Sequence, residues 1–231
     1  MKDDFIIEFK NAYPDELCDE FINEWVTPTY HLMSEMHPNV SMDDHLKNKS
    51  SQDMYFELGG HRGVRHGCGA HDILNDKYQA IMKNVKEKYT DILIEKGLDR
   101  LSQVPPEAYM LQEQIRRSIQ SGIVLARTNP GEYYNWHADY VYGQVCRQRL
   151  LTCILYLNDM DEDAGGCTEF SNGRVVRPEK GKVLIFPATP QYVYRGAIVN
   201  KGTKYEITTF AREPEPVYNG GLPFIVKPDK H

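Results

Sequence analysis

The stretch at residues 150–157, LLTCILYL, decides the fold class, because it is short, apolar and rich in residues that favour β-strands. Three further short runs of this kind lie at 119–127, 182–186 and 204–210. Turn-forming sequences separate the runs, among them Asn-Pro-Gly, Gly-Gly, Asn-Gly and Lys-Gly. Short strands joined by such turns predict an antiparallel sandwich or barrel in residues 119–231.

The first half of the chain, residues 1–118, is expected to be mainly helix and loop. A β-favouring run at 5–9 precedes a short amphipathic helix, and apolar residues recur every three or four positions across 73–97. This spacing predicts one long helix, and its solvated face is expected to carry the charged run Lys83, Lys86, Glu87 and Lys88. No internal repeat or flexible linker divides the sequence. We therefore predict a single α+β domain over residues 1–231, with N-terminal helices that support the barrel.

Composition and charge exclude several classes of protein. Of the 231 residues, 41% are hydrophobic, which is enough to bury a core. The net charge of -6 repels phosphate backbones, so nucleic acid is not an expected partner. The five cysteines are odd in number and form no C-x-x-C pair, which favours a reducing cytosol. The charged start and the lack of a long apolar run predict a cytoplasmic protein without a membrane partner.

The stretch at 133–139, YYNWHAD, carries the clearest chemistry. Residues two apart on a strand point to the same side, so His137 and Asp139 would aim an imidazole and a carboxylate at one point. Such a pair is two-thirds of the 2-His-1-carboxylate triad, which binds ferrous iron and leaves coordination positions open. Taken alone, the pair is equally compatible with a surface turn or with a buried hydrogen-bonded pair.

An ordered set of motifs follows this pair. Together they resemble the prolyl 4-hydroxylase-like branch of the Fe(II)/2-oxoglutarate-dependent dioxygenases, over residues 119–212. The motifs are RLLT at 149–152, LYLN at 155–158, GGCTEF at 165–170, PEKG at 178–181, YRG at 194–196 and GTKY at 202–205.

The resemblance implies a fold, a reaction and a set of residues. The fold is a double-stranded β-helix, or jelly roll. The reaction is hydroxylation of a C–H bond, coupled to decarboxylation of 2-oxoglutarate to succinate, with Fe(II), 2-oxoglutarate and oxygen as cofactors and cosubstrates. His137 and Asp139 match the first two iron ligands, and Lys204 matches the basic residue that pairs with the distal carboxylate of 2-oxoglutarate. The substrate would be a peptide or a small molecule, and the family suggests a prolyl peptide.

Tyr194 stands where the family has its second iron-binding histidine, and it is therefore the third candidate ligand. A bound cation lowers the pKa of its ligands, so a metal-bound phenolate is chemically reasonable, although it favours Fe(III) over Fe(II). Four interpretations stay open. Tyr194 ligates the metal in an altered oxygenase; it points away and 2-oxoglutarate with water completes the site; another imidazole completes a rearranged triad; or the protein is a non-catalytic module that binds 2-oxoglutarate or a protein partner.

Other residues carry weaker expectations. Thr128 stands where the family usually has a tyrosine that hydrogen-bonds 2-oxoglutarate, and Tyr134 is the candidate replacement. The stretch at 61–71, HRGVRHGCGAH, is expected to be a glycine-rich loop over the barrel mouth, with a four-ligand zinc site as the alternative. Arg149 and Arg212 are candidates for substrate contact or for a salt bridge at the barrel rim.

Overall fold

The computed structural model describes residues 5–27, 52–56, 69–95, 115, 118–120, 123–140 and 149–212. Their elements, in chain order, are β1 (Ile7–Phe9), α1 (Asp15–Glu20, extended by a π-helical turn at Phe21–Val26), β2 (Gln52–Phe56), α2 (Gly69–Glu95), β3 (Ile119–Gln120), β4 (Ile123–Thr128), β5 (Tyr134–His137), β6 (Arg149–Tyr156), β7 (Thr168–Phe170), β8 (Val175–Val176), β9 (Val183–Pro187), β10 (Tyr194–Gly196) and β11 (Lys204–Arg212).

The strands of the described residues form two antiparallel sheets. The larger sheet has the order β1-β9-β6-β11-β4-β2, with β3 paired to β11, and the smaller has the order β5-β10-β7-β8. The four predicted β-runs correspond to β4, β6, β9 and β11 of the larger sheet. The smaller sheet carries the His-x-Asp stretch on β5 and Tyr194 on β10.

Strand β6 is mainly apolar because both of its faces are buried over most of its length. Leu151, Cys153 and Leu155 point to the helices and belong to the larger core cluster. Ile154 and Tyr156 alternate with them and pack between the two sheets, in a second cluster that includes Phe186. A strand enclosed on both sides needs no polar alternation, since neither face meets water.

The long helix α2 covers the outer face of the larger sheet, as the periodicity predicted. Its buried side chains are spaced three or four residues apart, and they are Leu74, Tyr78, Met82, Val85, Tyr89 and Leu93. Tyr78 adds a polar contact, because its hydroxyl lies 2.9 Å from the hydroxyl oxygen of Thr209 on β11.

The expectation that this charged run lies on the solvated face of α2 is wrong at Lys86. This side chain is buried, and its ammonium donates to the carbonyl oxygen and hydroxyl of Ser118. Burial lowers the pKa of Lys86 from its usual value. The hydrogen bonds that the ammonium donates to Ser118 offset part of the cost of its desolvation. Ser118 is distant in the chain, so the spacing along the helix does not reveal this contact.

The short strand β1 is joined to the barrel by a buried lysine. Lys182, just before β9, lies 2.9 Å from a carboxylate oxygen of Glu8 and 2.6 Å from one of Glu179. Arg174 lies 3.1 Å from the other oxygen of Glu8. Burial raises the pKa of Glu8, but the hydrogen bonds from Lys182 and Arg174 outweigh it, so the pKa ends below its usual value.

Glycine is required in the GGCTEF motif by backbone conformation. Gly165 and Gly166 have φ angles of +72° and +70°, in the left-handed region. A Cβ atom at Gly165 would lie 2.1 Å from the carbonyl oxygen of Ile198, so the loop also approaches a neighbouring segment too closely for any side chain.

Two further expectations bear on the cell compartment. Cys18, Cys153 and Cys167 are free thiols, and burial raises the pKa of Cys18 and Cys153 to about 12. In the part of the chain that the structure describes, no helix is both long and apolar enough to cross a bilayer.

Candidate metal centre and cofactor cavity

His137 and Asp139 converge as the spacing predicted. His137 ends β5, and Asp139 follows just beyond the strand, with its Oδ1 atom 3.8 Å from His137 Nε2. Trp136, which directly precedes His137, points outward and is 43% exposed. The outward turn of Trp136 leaves the ring of His137 on the inner side, where the carboxylate of Asp139, two residues on, lies beside it.

The ring of His137 is fixed in one orientation. Its Nδ1 atom lies 2.8 Å from the carbonyl oxygen of Asn135. A carbonyl can only accept, so Nδ1 carries the hydrogen and Nε2 keeps the lone pair in the neutral ring. The ring also stacks on Tyr134, with centroids 3.7 Å apart. The nitrogen suited to metal binding is thus the one that faces Asp139.

The two oxygens of Asp139 have different roles. Oδ2 accepts hydrogen bonds from the hydroxyl of Thr152 at 2.6 Å and from that of Tyr194 at 3.0 Å. Oδ1 faces His137 Nε2 and also lies 3.8 Å from a guanidinium nitrogen of Arg149. Hydrogen bonds to a ligating carboxylate orient it, so Thr152 and Tyr194 leave Oδ1 as the oxygen presented to a cation.

Tyr194 lies directly opposite His137 in the pairing of β10 with β5. Its ring is 4.2 Å from that of His137 between centroids, and it packs edge-on against Phe186. Burial, followed by the negative charge of Asp139, raises the pKa of Tyr194 well above its usual value of 10.0. The hydroxyl is therefore protonated, and it donates to Oδ2 of Asp139.

A cavity of about 170 Å³ opens beside these residues, between the two sheets. Its lining comprises Val124, Ala126, Thr128, Tyr133, Tyr134, Asp139, Arg149, Ile154, Thr168, Tyr194, Gly196, Ala197, Lys204, Glu206, Thr208 and Phe210. Two acidic and two basic side chains are among them, so their formal charges cancel. The volume corresponds to roughly five or six water molecules, which suits a small organic acid.

Lys204 begins β11 and is only 3% exposed. It pairs with Thr128 across β4 and β11, and both line the cavity. A Cβ atom at Gly196 would lie 3.8 Å from Lys204 Nζ. Gly196 is two residues along β10 from Tyr194, a distance of about 6.6 Å on an extended strand. The ammonium therefore lies near a β10 residue that is two positions along the strand from the partner of His137.

Arg149 lies at the metal-facing side of the cavity. Its guanidinium carbon is 3.5 Å from the centre of the Phe210 ring, and one nitrogen donates to the carbonyl oxygen of Asp139 at 3.4 Å. The expected salt bridge is thus present, with Asp139 as its partner. Arg212 pairs with Arg149 in the register of β11 and β6. Of the stretch at 61–71, residues 61–68 lie outside the described residues, and the loop expectation is wrong at 69–71, which begin α2.

Sequence reasoning missed Thr152 and Glu206. The alternation along β11 offered a signal for Glu206, since Lys204, Glu206, Thr208 and Phe210 all line the cavity. Thr152 lies in the RLLT motif, but its contact with Asp139 spans two sheets and leaves no local pattern.

The donor set fits a ferrous ion in part. Metal–nitrogen and metal–oxygen bonds of about 2.0–2.2 Å allow one ion between Nε2 and Oδ1 to reach both atoms. Among the described residues, no group of three His, Cys, Asp or Glu side chains converges. The described part of the chain thus offers one imidazole and one carboxylate here, with the phenol of Tyr194 beside them.

Comparison with known proteins identifies the class. Residues 123–212 match the sequence model of the 2OG-Fe(II) oxygenase superfamily. The match confirms the predicted resemblance over this range and, with it, the expected cofactors Fe(II) and 2-oxoglutarate.

Two curated relatives share the name 2-oxoglutarate and iron-dependent oxygenase domain-containing protein 3. The mouse protein is 36% identical over 88 residues, which are 36% of this chain and 27% of the relative. The Xenopus tropicalis protein is 35% identical over 97 residues, which are 39% of this chain and 29% of the relative. The matched region thus spans little more than a quarter of either relative.

Solved structures confirm the predicted jelly-roll fold. A Pseudomonas putida prolyl-4-hydroxylase matches with a TM-score of 0.59 and 15% identity, over 92% of this chain and 94% of that one. A viral collagen prolyl hydroxylase from Paramecium bursaria Chlorella virus-1, in complex with 2OG, has a TM-score of 0.55 and 19% identity, over 91% and 97%. A Trichoplax adhaerens prolyl hydroxylase, bound to a peptide fragment of hypoxia inducible factor, has 0.54 and 18%, over 91% and 84%.

Proposed function

We propose that this protein is a 2-oxoglutarate-dependent oxygenase that hydroxylates a C–H bond. The observation that carries the proposal is the convergence of His137 Nε2 and Asp139 Oδ1 beside a cavity that also holds Lys204. The reaction balances, because the substrate C–H bond and 2-oxoglutarate share the two atoms of O₂ and yield an alcohol, succinate and CO₂. Iron supplies the activation of oxygen when it is bound.

The residues have separate tasks in this proposal. His137 and Asp139 hold the iron, and the stacked ring of Tyr134 keeps the imidazole in place. Lys204 pairs with the distal carboxylate of 2-oxoglutarate, and Thr128, opposite it on β4, lines the same cavity. Thr152 holds Asp139 by the hydrogen bond to Oδ2, so that Oδ1 stays turned to the metal.

We infer that Tyr194 acts on the iron through Asp139. Its hydroxyl donates to Oδ2, the oxygen that faces away from His137, and this supports a positioning role. Direct ligation by Tyr194 stays a prediction. Ligation would require the phenol to be deprotonated and its hydrogen bond to Asp139 to be broken.

For the substrate we propose a peptide, and a prolyl residue within it. The support is the bound peptide of the Trichoplax adhaerens prolyl hydroxylase, whose fold this chain shares. The reducing cytosol is a proposal as well, which the free thiols at Cys18, Cys153 and Cys167 support.

One observation favours a second candidate, a non-catalytic module that binds 2-oxoglutarate. A tyrosine occupies the place opposite His137, and it is already hydrogen-bonded to Asp139. Such a module would bind the diacid through Lys204 without forming succinate.

An anaerobic titration with Fe(II) and 2-oxoglutarate tests the proposal. We expect the weak visible band of an iron–2-oxoglutarate chelate in the wild type and its loss in Asp139→Ala, followed by succinate when air is admitted. The band without succinate would favour the binding module. A blue-green phenolate band would show that Tyr194 is a ligand, and the absence of any binding would contradict both functions.

A further inference from the structure

The cavity contains a carboxylate for which the proposed reaction has no use. Glu206 lies two residues after Lys204 on β11, and strand alternation turns both side chains into the cavity. The Oε2 atom of Glu206 lies 3.1 Å from Lys204 Nζ. The ammonium that the proposed function assigns to the cosubstrate is thus already next to a negative charge.

This contact depends on charge. Glu206 Oε2 is enclosed, and within the described residues it accepts no hydrogen bond of good geometry. Lys204 is 4% exposed and Glu206 16% exposed in their side chains, so water screens their attraction only weakly. An enclosed carboxylate is costly to bury unless a cation lies nearby, and Lys204 is the cation at ion-pair distance.

A second carboxylate that enters the cavity meets two effects. It has to share or take over the ammonium of Lys204, and it comes close to the negative charge of Glu206. Both effects weaken the binding of a distal carboxylate. Neither effect acts on a 2-oxo acid that ends in a methyl group, since such an acid makes no demand on Lys204.

We propose that Glu206 is a specificity-determining residue, which competes with the distal carboxylate of the cosubstrate for Lys204. The cavity therefore discriminates less between 2-oxoglutarate and a 2-oxo acid of the same chain length without the distal carboxylate. This inference rests on the proposed function, because it concerns the cosubstrate of the same site.

The test compares two acids and four forms of the protein. Isothermal titration calorimetry, under anaerobic conditions with Fe(II), gives the dissociation constants of 2-oxoglutarate and of 2-oxovalerate, which has the same five carbons. The forms are the wild type, Glu206→Gln, Lys204→Met and Glu169→Gln. Glu169 is the matched control, since it pairs with Arg195 at 2.7 Å but does not line the cavity. Glu206→Ser replaces Glu206→Gln if the latter does not fold.

We expect 2-oxoglutarate to bind Glu206→Gln about tenfold more tightly than the wild type, because one buried negative charge is removed. We expect 2-oxovalerate to bind both forms equally, and Lys204→Met to lose its preference for 2-oxoglutarate. The control should match the wild type for both acids.

Three results would overturn the inference. Equal or weaker binding of 2-oxoglutarate to Glu206→Gln would show that Glu206 supports Lys204, and the proposed function would stand. An equal gain for both acids would indicate a general change of the cavity, again without harm to the proposed function. Binding of neither acid to any form would overturn the inference and the proposed function together.

Discussion

At the scale of single residues, the site depends on how Asp139 is held. Two hydroxyls bind its Oδ2 atom, and these contacts leave Oδ1 opposite His137 Nε2. If the carboxylate of Asp139 could rotate, Oδ1 would no longer be held opposite His137. A metal would then compete with water and with Arg149 for either oxygen of Asp139. Thr152 makes the shorter of the two contacts.

The substitution Thr152→Val therefore affects metal binding. We expect the Fe(II) affinity to fall by about tenfold, and the free energy of unfolding to fall by about 1–2 kcal/mol, since a buried hydrogen bond to a carboxylate is lost. Anaerobic competition with a chromophoric chelator measures the affinity.

Thr209→Val is the control. Thr209 is equally buried, but its hydroxyl contacts Tyr78 on the helical side of the sheet. It should lose similar stability and keep its Fe(II) affinity. An equal change of affinity in both variants would show that Thr152 has no specific role at Asp139.

Position 194 offers a second test. Tyr194→His places an imidazole opposite His137, and we expect it to raise Fe(II) affinity by about tenfold or more and to increase 2-oxoglutarate turnover. Tyr194→Phe keeps the ring and removes only the hydroxyl, so it should not gain affinity. If the two variants bind Fe(II) alike, position 194 lies outside the reach of the metal.

The residues that could be predicted from the sequence are those with a local pattern. His137 and Asp139 are two apart on a strand, and the resemblance to a family pointed to Lys204. Thr152 could not be predicted, because its partner Asp139 is 13 positions away in the chain and lies just beyond β5 of the other sheet. Glu206 had a local signal, the alternation from Lys204, but a carboxylate is not expected beside the lysine that is to bind a diacid.

At the scale of elements, burial on one or both faces and the length of each strand explain which elements the sequence pattern predicts. The run in β6 indicated a strand because both of its faces are buried. The strands β7, β8 and β10 have only two or three residues each, too few for a period. The burial of Lys86 on α2 arises from a contact with Ser118, 32 positions away, which no helical period encodes.

The strand β1 gives a pH prediction. The pKa of Glu8 is lowered in the folded state, so its ionised form stabilises the fold above the ordinary pKa of 4.5, and this contribution is lost as the pH falls through the folded-state pKa. Glu8→Gln should therefore be less stable than the wild type by about 1–2 kcal/mol at neutral pH, a value that allows for partial exposure. The difference should shrink as the pH falls below 4.5.

Urea denaturation at several pH values measures this difference. Glu162→Gln is the control, because Glu162 is 89% exposed and 3.5 Å from Arg177, and it should not differ from the wild type. A difference for Glu8→Gln that does not depend on pH would rule out the ion pairs as its cause.

At the scale of the whole molecule, the larger sheet separates the main apolar core from the candidate functional site. Its outer face packs against α2 and carries most of the apolar core, while its inner face lines the cavity together with the smaller sheet. This layering could be predicted as a class, helices on a sandwich or barrel. The place of residues 28–51 could not, because that stretch has no period, and it lies outside the described residues.

The layering predicts that stability and metal binding respond separately. Met82→Ala removes a fully buried side chain from α2, and it should lower the free energy of unfolding by about 2–5 kcal/mol with unchanged Fe(II) affinity. Lys83→Ala, on the exposed face of the same helix, should change the stability by less than about 0.5 kcal/mol. Urea denaturation and chelator competition measure the two quantities, and a parallel loss of both in Met82→Ala would contradict the separation.

A crystal structure with Mn(II), as a stable substitute for Fe(II), and 2-oxoglutarate tests the central claim most directly. The account predicts one metal ion bound to both His137 Nε2 and Asp139 Oδ1, with the distal carboxylate of 2-oxoglutarate at Lys204. An ion bound by neither atom, or a diacid seated away from Lys204, would contradict it.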